Sequence, residues 1–166
     1  MGEPLANLDG LLPALERASD TNGLGISARR VTISTVGLPK AMNRLTELNC
    51  RFHLAVSLHA ANDELRTRLV PVNRGTGLQA ILEEADRYFE RSGRRLTFEY
   101  VLLAGVNDSP DDARQLGRLL KDRTAMLNII PYNPVAGLPY ETPSDEATSA
   151  FSGVLQSYQI NVRFRR

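Results

Sequence analysis

Polar side chains follow several apolar runs of this sequence, at points where a predicted strand gives way to a turn or a helix. Ser34 lies in VTISTVG, Ser57-Leu58-His59 in LAVSLHA, Glu99 in LTFEYVLL and Asn133 in LNIIPYNP. The carboxyl ends of parallel strands meet at one edge of a sheet or barrel, where ligand sites form. Hydroxyl, imidazole, carboxylate and amide groups gathered there suit the binding of a cofactor or a substrate.

His59 is the sharpest single candidate for chemistry. Ser57 and His59 are predicted on one side of a strand end, with Leu58 on the other. An imidazole there can bind a ligand or transfer a proton, and the simpler interpretation is a histidine whose hydrogen bonds only complete the strand end. Glu99 is either a general base or a side chain facing solvated barrel space. An isomerase or aldolase-like enzyme with His59 and Glu99 as acid and base is therefore one hypothesis.

Gly2 and Glu3 form a second candidate at the start of the chain. A Gly-Glu turn offers a backbone amide and a carboxylate to a ligand that carries an amine. The simpler interpretation of Glu3 is an acidic residue that complements the dipole of the helix after it.

Cys50 is the only cysteine, and His53 is the only histidine besides His59. Disulfides within the chain and cysteine-based metal sites are therefore excluded, and a histidine metal site is not predicted. No base is paired with Cys50 in the sequence, so a structural thiol is favoured over a nucleophile.

The elements that must position these residues alternate between strand and helix. The predicted strands are Arg30–Thr35, Phe52–Leu58, Leu96–Leu103, Met126–Ile130 and Ile160–Phe164; the predicted helices are Asn7–Ala18, Pro39–Leu48, Asn62–Leu69, Leu78–Arg91, Pro110–Asp122 and Ser144–Tyr158. Such alternation predicts an α/β fold with parallel strands and right-handed crossovers. Five strands are too few for a closed eight-stranded barrel, so we expect an open sheet or part of a larger barrel. Exposed sheet edges would then favour self-association.

Composition narrows the class of protein without naming a function. The chain has 166 residues and a formal net charge of +1, so we predict a single domain over residues 1–166 with no global field for nucleic acid. Arg163, Arg165 and Arg166 form a basic C-terminus that is either solvated or in contact with RNA, and a non-catalytic RNA-binding module is a further hypothesis. The sequence shows no membrane span and no signal peptide, so a cytoplasmic location is predicted.

Read in order, the motifs resemble the radical S-adenosylmethionine rRNA methyltransferases of the RlmN/Cfr family. The segments that carry the resemblance are MGEPLANL (1–8), RVTISTVGLP (30–39), VSLHAANDELR (56–66), LVPVN (69–73), FEYVLLAGVND (98–108) and LNIIPYNP (127–134). The resemblance implies a partial barrel of parallel strands, of which this chain resembles the C-terminal two-thirds.

The resemblance also assigns residues to the cofactor, S-adenosylmethionine. Gly2 and Glu3 match the Gly-Glu motif that binds its amino group. Ser34 matches the serine of an STSG-like motif, although Val36 replaces the usual serine. Ser57, Leu58 and His59 match the Ser-Leu-His element, and Asn133 matches the asparagine of the PYNP motif. No catalytic residue and no metal ligand is predicted within this chain.

By the same resemblance, the intact enzyme methylates C2 of an adenine in 23S rRNA, and in some members also in tRNA, through a methylated cysteine. It holds a 4Fe–4S cluster by a CxxxCxxC motif, and clusters of this kind need thiolates. Cys50 matches none of these positions. The cluster-binding part, the methyl-carrying cysteine and the remaining catalytic groups are expected outside these 166 residues. We therefore predict that this chain alone has no methyltransferase activity.

Overall fold

A computed structural model describes residues 2–165 of the chain. Met1, which belongs to the first matched motif, and Arg166, which belongs to the predicted basic C-terminus, lie outside the described residues. In chain order the elements are a 3-10 turn Pro4–Asn7, α1 (Leu8–Ser19), a 3-10 turn Ala28–Arg30, β1 (Thr32–Thr35), α2 (Pro39–Glu47), β2 (His53–Ser57), α3 (Asp63–Leu69), a 3-10 turn Pro71–Gly75, α4 (Leu78–Ser92), β3 (Leu96–Leu102), α5 (Pro110–Leu120), β4 (Met126–Pro131), α6 (Asp145–Gln156) and β5 (Asn161–Phe164).

The predicted alternation of strands and helices is confirmed, with differences at the ends of elements. The first strand begins later than expected, because Ala28–Arg30 form a 3-10 turn in which the hydroxyl of Ser27 accepts a hydrogen bond from the amide of Arg29. Another 3-10 turn, Pro71–Gly75, follows α3. No helix within residues 2–165 is both long and apolar enough to cross a membrane.

The described chain divides into two compact units. The first runs up to Ser57 and also contains Gln79–Leu96; the second contains Leu58–Leu78 and continues from Thr97. The prediction of a single domain is not decided by this division and stays a prediction.

The first unit is built around the parallel pair β1 and β2, in which Ser34 lies opposite Ala55. Ile33 and Thr35 of β1 are buried while the alternate residues are exposed, as a half-buried strand requires. Its helix α4 is fixed to the chain before β2 by the buried hydroxyl of Tyr88, which donates to the carbonyl of Phe52 at 2.7 Å. The buried apolar side chains of this unit include Leu5, Leu8, Ile33, Met42, Leu45, Leu54, Val56, Ile81 and Leu82.

The second unit contains the parallel strands β3, β4 and β5. Asn128 is the register partner of both Glu99 and Arg163, so these three residues form a row across the strands. Helices α5 and α6 pack on each other in this unit. The rings of Tyr100 and Phe151, both fully buried, lie 5.6 Å apart between centroids.

Helix starts in the second unit are capped by side chains that lie close to them in the chain. The side chain of Asn62 accepts a hydrogen bond from the amide of Leu65, and Ser109 forms a capping box with Asp112 before Pro110 begins α5. Satisfied helix ends of this kind fix the chain that leads into each helix, including the segment after β2.

Candidate functional site

Four of the predicted cofactor residues line one cleft of about 350 Å³ in the first unit. They are Gly2 and Glu3 from the start of the chain, Ser34 from β1 and Ser57 from the end of β2. The cleft therefore lies at the carboxyl end of a parallel strand pair, as the sequence predicts for a ligand site. Its volume falls within the range of about 300–1,000 Å³ that small-molecule sites occupy.

The carboxylate of Glu3 holds the wall of this cleft together. Its Oε1 accepts hydrogen bonds from the hydroxyl of Thr35 at 2.7 Å and from the amide of Leu5 at 3.0 Å, and its Oε2 accepts from the amide of Val36 at 2.8 Å. A carboxylate offers about four acceptor positions, so three donors leave one on Oε2 for a ligand. Glu3 thus positions the loop after β1 and can still accept from an amine.

Apolar side chains of α1 provide the opposite character in the same cleft. Leu11 and Leu15 are half-buried and line it, together with Val31 and Ile33. Gly2 is exposed, and a Cβ added to it would meet no atom of the chain within 4 Å. The backbone of Gly2 is therefore open to close approach by a ligand. The cleft as a whole combines apolar surface with a few polar groups, as cofactor sites commonly do.

Leu58 and His59 lie in the second unit, directly after Ser57 in the chain. The side chain of Leu58 is fully buried. Its amide donates to the carbonyl of Glu99 at 2.9 Å, and its carbonyl accepts from Nε of Arg66 at 3.1 Å. Leu58 thus fixes the direction in which the chain leaves β2.

The ring of His59 is held in one orientation by the backbone of β3. Its Nδ1 accepts a hydrogen bond from the amide of Val101 at 3.1 Å, so the proton of the neutral ring belongs on Nε2. Burial, and then the positive charge of Arg66, lower the pKa of His59 to about 4. At neutral pH the side chain is a hydrogen-bond donor through Nε2 and a weak base.

Asn133 is exposed on the loop that follows β4. The loop is anchored beside it, because the amide of Tyr132 donates to the carbonyl of Leu102 at 3.0 Å and the hydroxyl of Thr142 donates to the carbonyl of Tyr132 at 2.8 Å. The rings of Tyr132 and Tyr140 also meet edge to face, with centroids 6.0 Å apart. Asn133 is therefore an exposed amide on a braced loop of the second unit.

The structure thus brings together Gly2, Glu3, Ser34 and Ser57, whereas Leu58, His59 and Asn133 belong to the second unit. A larger cleft in that unit, of about 680 Å³, lies along α6 and contains none of the predicted residues. Glu99 is also in the second unit, where its carboxylate accepts from the amide nitrogen of Asn128 at 2.8 Å.

Comparison with known proteins tests the family resemblance that the sequence motifs carry. No protein-family model matches the chain. The chain is 60% identical over 166 residues to a probable dual-specificity RNA methyltransferase RlmN of Rhodopirellula baltica, covering 100% of this chain and 45% of that protein. It is 48% identical to a probable dual-specificity RNA methyltransferase RlmN of Symbiobacterium thermophilum, over 99% of this chain and 45% of the relative. The resemblance to the RlmN family is confirmed.

The fold agrees with this relationship. The crystal structure of a radical SAM methyltransferase from Sphaerobacter thermophilus matches with a TM-score of 0.95 and 40% identity, covering 99% of this chain and 48% of that one. This match and the parallel pairing within each unit confirm the predicted fold class, an α/β fold of parallel strands that corresponds to part of a radical SAM barrel. The chain spans about half the length of the RlmN relatives that it matches.

The iron–sulfur cluster implied by the RlmN/Cfr resemblance does not fit the residues present. Cys50 is the only cysteine of the chain. Burial, and then the charge of Glu16, raise its pKa, which disfavours the thiolate that iron requires. Within residues 2–165 no three His, Cys, Asp or Glu side chains lie close enough to hold a metal. This chain therefore contributes no ligand set for such a cluster.

Three buried polar residues that the sequence does not single out lie beside predicted site residues: Thr35 in the first unit, and Arg66 and Asn107 in the second. The sequence motif points to Ser34 and not to its neighbour Thr35. Strand alternation places these two side chains on opposite faces of β1, and this signal could have indicated that Thr35 is the buried one. Asn107 lies in a short polar segment of the kind that forms turns, yet it is fully buried and its Nδ2 donates to the carbonyl of His59 at 2.8 Å. Arg66 is fully buried as well, and no local pattern indicates this for an arginine in an exposed-looking helix.

Proposed function

We propose that this chain supplies most of the S-adenosylmethionine site of an RlmN-type RNA methyltransferase. The observation that carries the proposal is the cleft that gathers Gly2, Glu3, Ser34 and Ser57 beside an apolar wall. Their groups suit the cofactor, because an amine needs an acceptor such as Glu3 and hydroxyl groups such as Ser34 can donate or accept. Leu58, His59 and Asn133 belong to the second unit, and the RlmN/Cfr resemblance alone assigns them to the cofactor.

Each residue has a defined part in holding the cofactor. The remaining acceptor position on Oε2 of Glu3 accepts a hydrogen bond from the amine of the cofactor. The open backbone at Gly2 allows the cofactor to approach closely. The hydroxyls of Ser34 and Ser57 orient the ligand, and Leu11 and Leu15 exclude water from one side. When bound, S-adenosylmethionine supplies the methyl group and the radical chemistry; the chain supplies placement.

The finer function follows the same resemblance. We propose that the whole protein methylates C2 of an adenine in 23S rRNA, and also in tRNA, by way of a methylated cysteine outside these residues, and that it acts in the cytoplasm. An sp² carbon without an acidic proton resists ordinary methyl transfer, which is why a radical cofactor is needed. The chain alone, with reductant, S-adenosylmethionine and 23S rRNA, should yield no methylated adenine by mass spectrometry.

Binding of S-adenosylmethionine, measured by isothermal titration calorimetry, tests the cofactor site directly. Ser34→Ala should weaken binding by about three- to tenfold, since one hydrogen bond contributes about 0.5–1.5 kcal/mol. Ser149→Ala is the matched control, because Ser149 is an exposed serine on α6 that lines the other cleft. If Ser149→Ala weakens binding and Ser34→Ala does not, the cofactor site has been assigned to the wrong cleft.

The acid–base hypothesis has less support from the structure. A neutral His59 with a pKa of about 4 and its Nδ1 already bonded to the backbone is poorly suited to accept a proton at neutral pH. The carboxylate of Glu99 is bonded to Asn128. The RNA-binding module hypothesis is disfavoured as a main role by the net charge of +1.

A further inference from the structure

Six arginines of the first unit lie at the amino end of its parallel strands, and we call them the arginine patch. They are Arg29 and Arg30 before β1, Arg51 before β2, and Arg91, Arg94 and Arg95 at the end of α4 and just after it. All of them are exposed except Arg94, which is half-buried. The cofactor cleft lies at the opposite, carboxyl end of the same strands.

Hydrogen bonds to His53 bring the segments of the patch side by side. The amide of His53 donates to the carbonyl of Val31 at 3.0 Å, directly after Arg30 in the chain. Its Nδ1 accepts from the amide of Arg95 at 3.1 Å. Because Arg51 lies two positions before His53, arginines from three separate segments meet at this end of β1 and β2.

The end of α4 is held at the same place. The hydroxyl of Tyr88 donates to the carbonyl of Phe52 at 2.7 Å, and Phe52 directly follows Arg51 in the chain. Burial raises the pKa of Tyr88 to about 12, and the positive charge of Arg94 acts in the opposite direction, which places Arg94 near this phenol. The arginines that end α4 and follow it therefore belong to the same surface as those that precede the strands.

The arginine patch lacks counter-charges within the described residues. None of its six members forms an ion pair, whereas each of the other three arginines of the first unit does so, namely Arg17, Arg44 and Arg87. The carboxylates near the ends of the helices that lead to this end of the unit pair with none of the six; they are Glu16, Glu47 and Glu90. Like charges placed together repel one another, so an anionic partner would stabilise this surface.

The chemistry of the patch suits phosphate groups. Its cations are all guanidinium groups, which bind phosphate oxygens through paired N–H donors. Neighbouring strands lie about 4.8 Å apart, so three adjacent segments span about 10 Å. One strand of a double helix carries about one phosphate per 3.4 Å of its axis, hence about three phosphates over that length. The patch is therefore matched in charge density to several successive phosphates.

An anionic membrane is the other large polyanion that a basic surface can meet. Segments that lie on membranes combine basic residues with a broad apolar face on a single helix. The arginine patch is instead spread over the chain before two strands and the end of one helix. This arrangement favours a nucleic acid.

We propose that the arginine patch binds the phosphate backbone of the RNA substrate. The inference rests on the proposed function for the identity of the polyanion. Phosphate contacts position a nucleic acid without reading its bases, so the patch contributes affinity and leaves the cofactor cleft free. The net charge of +1 is compatible with this role, because the unpaired positive charge is local.

A variant that combines Arg30→Gln, Arg51→Gln and Arg95→Gln, the patch variant, tests the proposal. Its affinity for a fluorescein-labelled RNA hairpin, measured by fluorescence anisotropy at several NaCl concentrations, should fall by about tenfold or more at low salt. The slope of log affinity against log salt should become shallower by about 2–3, since each lost phosphate contact removes about one from it. The three side chains are exposed, so the patch variant should fold like the wild type.

The matched control combines Arg44→Gln, Arg87→Gln and Arg114→Gln. These arginines are exposed as well, but each pairs with a carboxylate. The control changes the net charge by the same amount, and its affinity for the hairpin and its salt slope should stay close to those of the wild type. Equal losses in the two variants would show that only the total charge matters and would overturn the proposal. An unchanged affinity in the patch variant, or no binding of the hairpin by the wild type, would overturn it too.

Two further measurements separate the patch from a membrane surface and from the cofactor site. Vesicles of phosphatidylserine and phosphatidylcholine that bind the wild type but not the patch variant, with the RNA affinity unchanged, would assign the patch to a membrane and overturn the RNA contact. Calorimetry should give the same affinity for S-adenosylmethionine in the wild type and the patch variant, because the patch lies outside the cleft. If the wild type does not bind S-adenosylmethionine, the proposed cofactor site fails, while a selective loss of RNA affinity in the patch variant still supports the RNA contact.

Discussion

The carboxylate of Glu3 and the hydroxyl of Thr35 are hydrogen-bonded at 2.7 Å, although 32 positions separate them in the chain. The same hydroxyl accepts from the amide of Gly37 at 3.0 Å, and the other carboxylate oxygen accepts from the amide of Val36. A single acidic side chain thus fixes the turn that follows Ser34. Glu3 therefore has two roles in the cleft: it fixes the loop after β1 by hydrogen bonds, and it is proposed to bind the amine of the ligand.

Glu3→Gln should lower the free energy of unfolding by about 1–3 kcal/mol, because one of the three donors would then face an amide NH₂ in place of an oxygen. Urea denaturation measures this change. Thr35→Val removes the bond to Glu3 and also the acceptor of the Gly37 amide, so it should cost about 1–3 kcal/mol. In the double variant the two losses should not add, since both remove the same contact; full additivity would mean that the contact contributes nothing.

Gly2→Ala separates ligand contact from folding. A Cβ at Gly2 meets no atom within 4 Å, so stability should stay within about 0.5 kcal/mol of the wild type. The affinity for S-adenosylmethionine should nevertheless fall several-fold, because Gly2 lines the proposed cofactor cleft and an added methyl group would take up space beside the ligand. Gly75→Ala is the control, since it also meets open space and Gly75 does not line the cleft. Equal affinities for the wild type and Gly2→Ala would argue against close approach of the ligand at Gly2.

Local signals were sufficient to predict much of the fold. The apolar spacing of α4 predicted Leu78–Arg91, and the helix spans Leu78–Ser92. The helix starts predicted at Asn62 and Pro110 also hold within one residue, because the caps at Asn62 and Ser109 are contacts between residues only a few positions apart. Strand ends follow from the same local chemistry, which is why Ser34 and Ser57 could be placed at the carboxyl ends of β1 and β2.

Contacts between distant segments could not be predicted in this way. Leu8, Leu11 and Leu15 of α1 are spaced like a helix face, yet only Leu8 is buried, while Leu11 and Leu15 are half-buried and line the cleft. Asn107 lies 48 positions from His59, and only the folded chain shows that its amide supports that residue. Hydrophobic periodicity predicts which face of a helix or strand is apolar, but it does not predict which residues, or which cleft, that face contacts.

Gly37→Ala should be strongly destabilising, because Gly37 closes the turn after β1 at a φ of +89° and its Cβ would lie 2.7 Å from Cγ2 of Ile81. Strain and overpacking together should cost about 2–5 kcal/mol in thermal or urea unfolding. Gly93→Ala is the matched control, since φ is +61° and nothing lies within 4 Å of the new Cβ. It should cost only about 1–2 kcal/mol.

A second substitution shows whether Ile81 is the cause. Ile81→Ala in the Gly37→Ala background should restore part of the difference, even though Ile81→Ala alone removes buried apolar volume and destabilises by about 2–5 kcal/mol. Simple addition of the two losses would assign the whole effect of Gly37→Ala to backbone strain.

The stability of the protein should depend on pH through His59. In the folded chain, burial and then Arg66 lower the pKa of His59 to about 4, below its ordinary value near 6.5. As the pH falls below about 6.5, the unfolded state binds this proton first, so the free energy of unfolding decreases until the pH reaches the folded value. Above about pH 6.5 the ring is neutral in both the folded and the unfolded state, so the free energy of unfolding no longer depends on pH through His59.

The difference between the wild type and His59→Gln isolates this contribution, because the carboxylates that titrate in the same range are common to both proteins. Over the interval from pH 7 to pH 4 the wild type should lose about 3 kcal/mol more than His59→Gln, since each pKa unit corresponds to about 1.4 kcal/mol. Urea unfolding at half-unit steps of pH measures the two curves. In Arg66→Met the pH range between the folded and unfolded pKa values of His59 should narrow. Removing the neighbouring positive charge lets the folded ring bind a proton at higher pH. Parallel curves for the wild type and His59→Gln would mean that the ring titrates alike in the folded and unfolded states, and that neither burial nor Arg66 lowers its pKa in the folded chain.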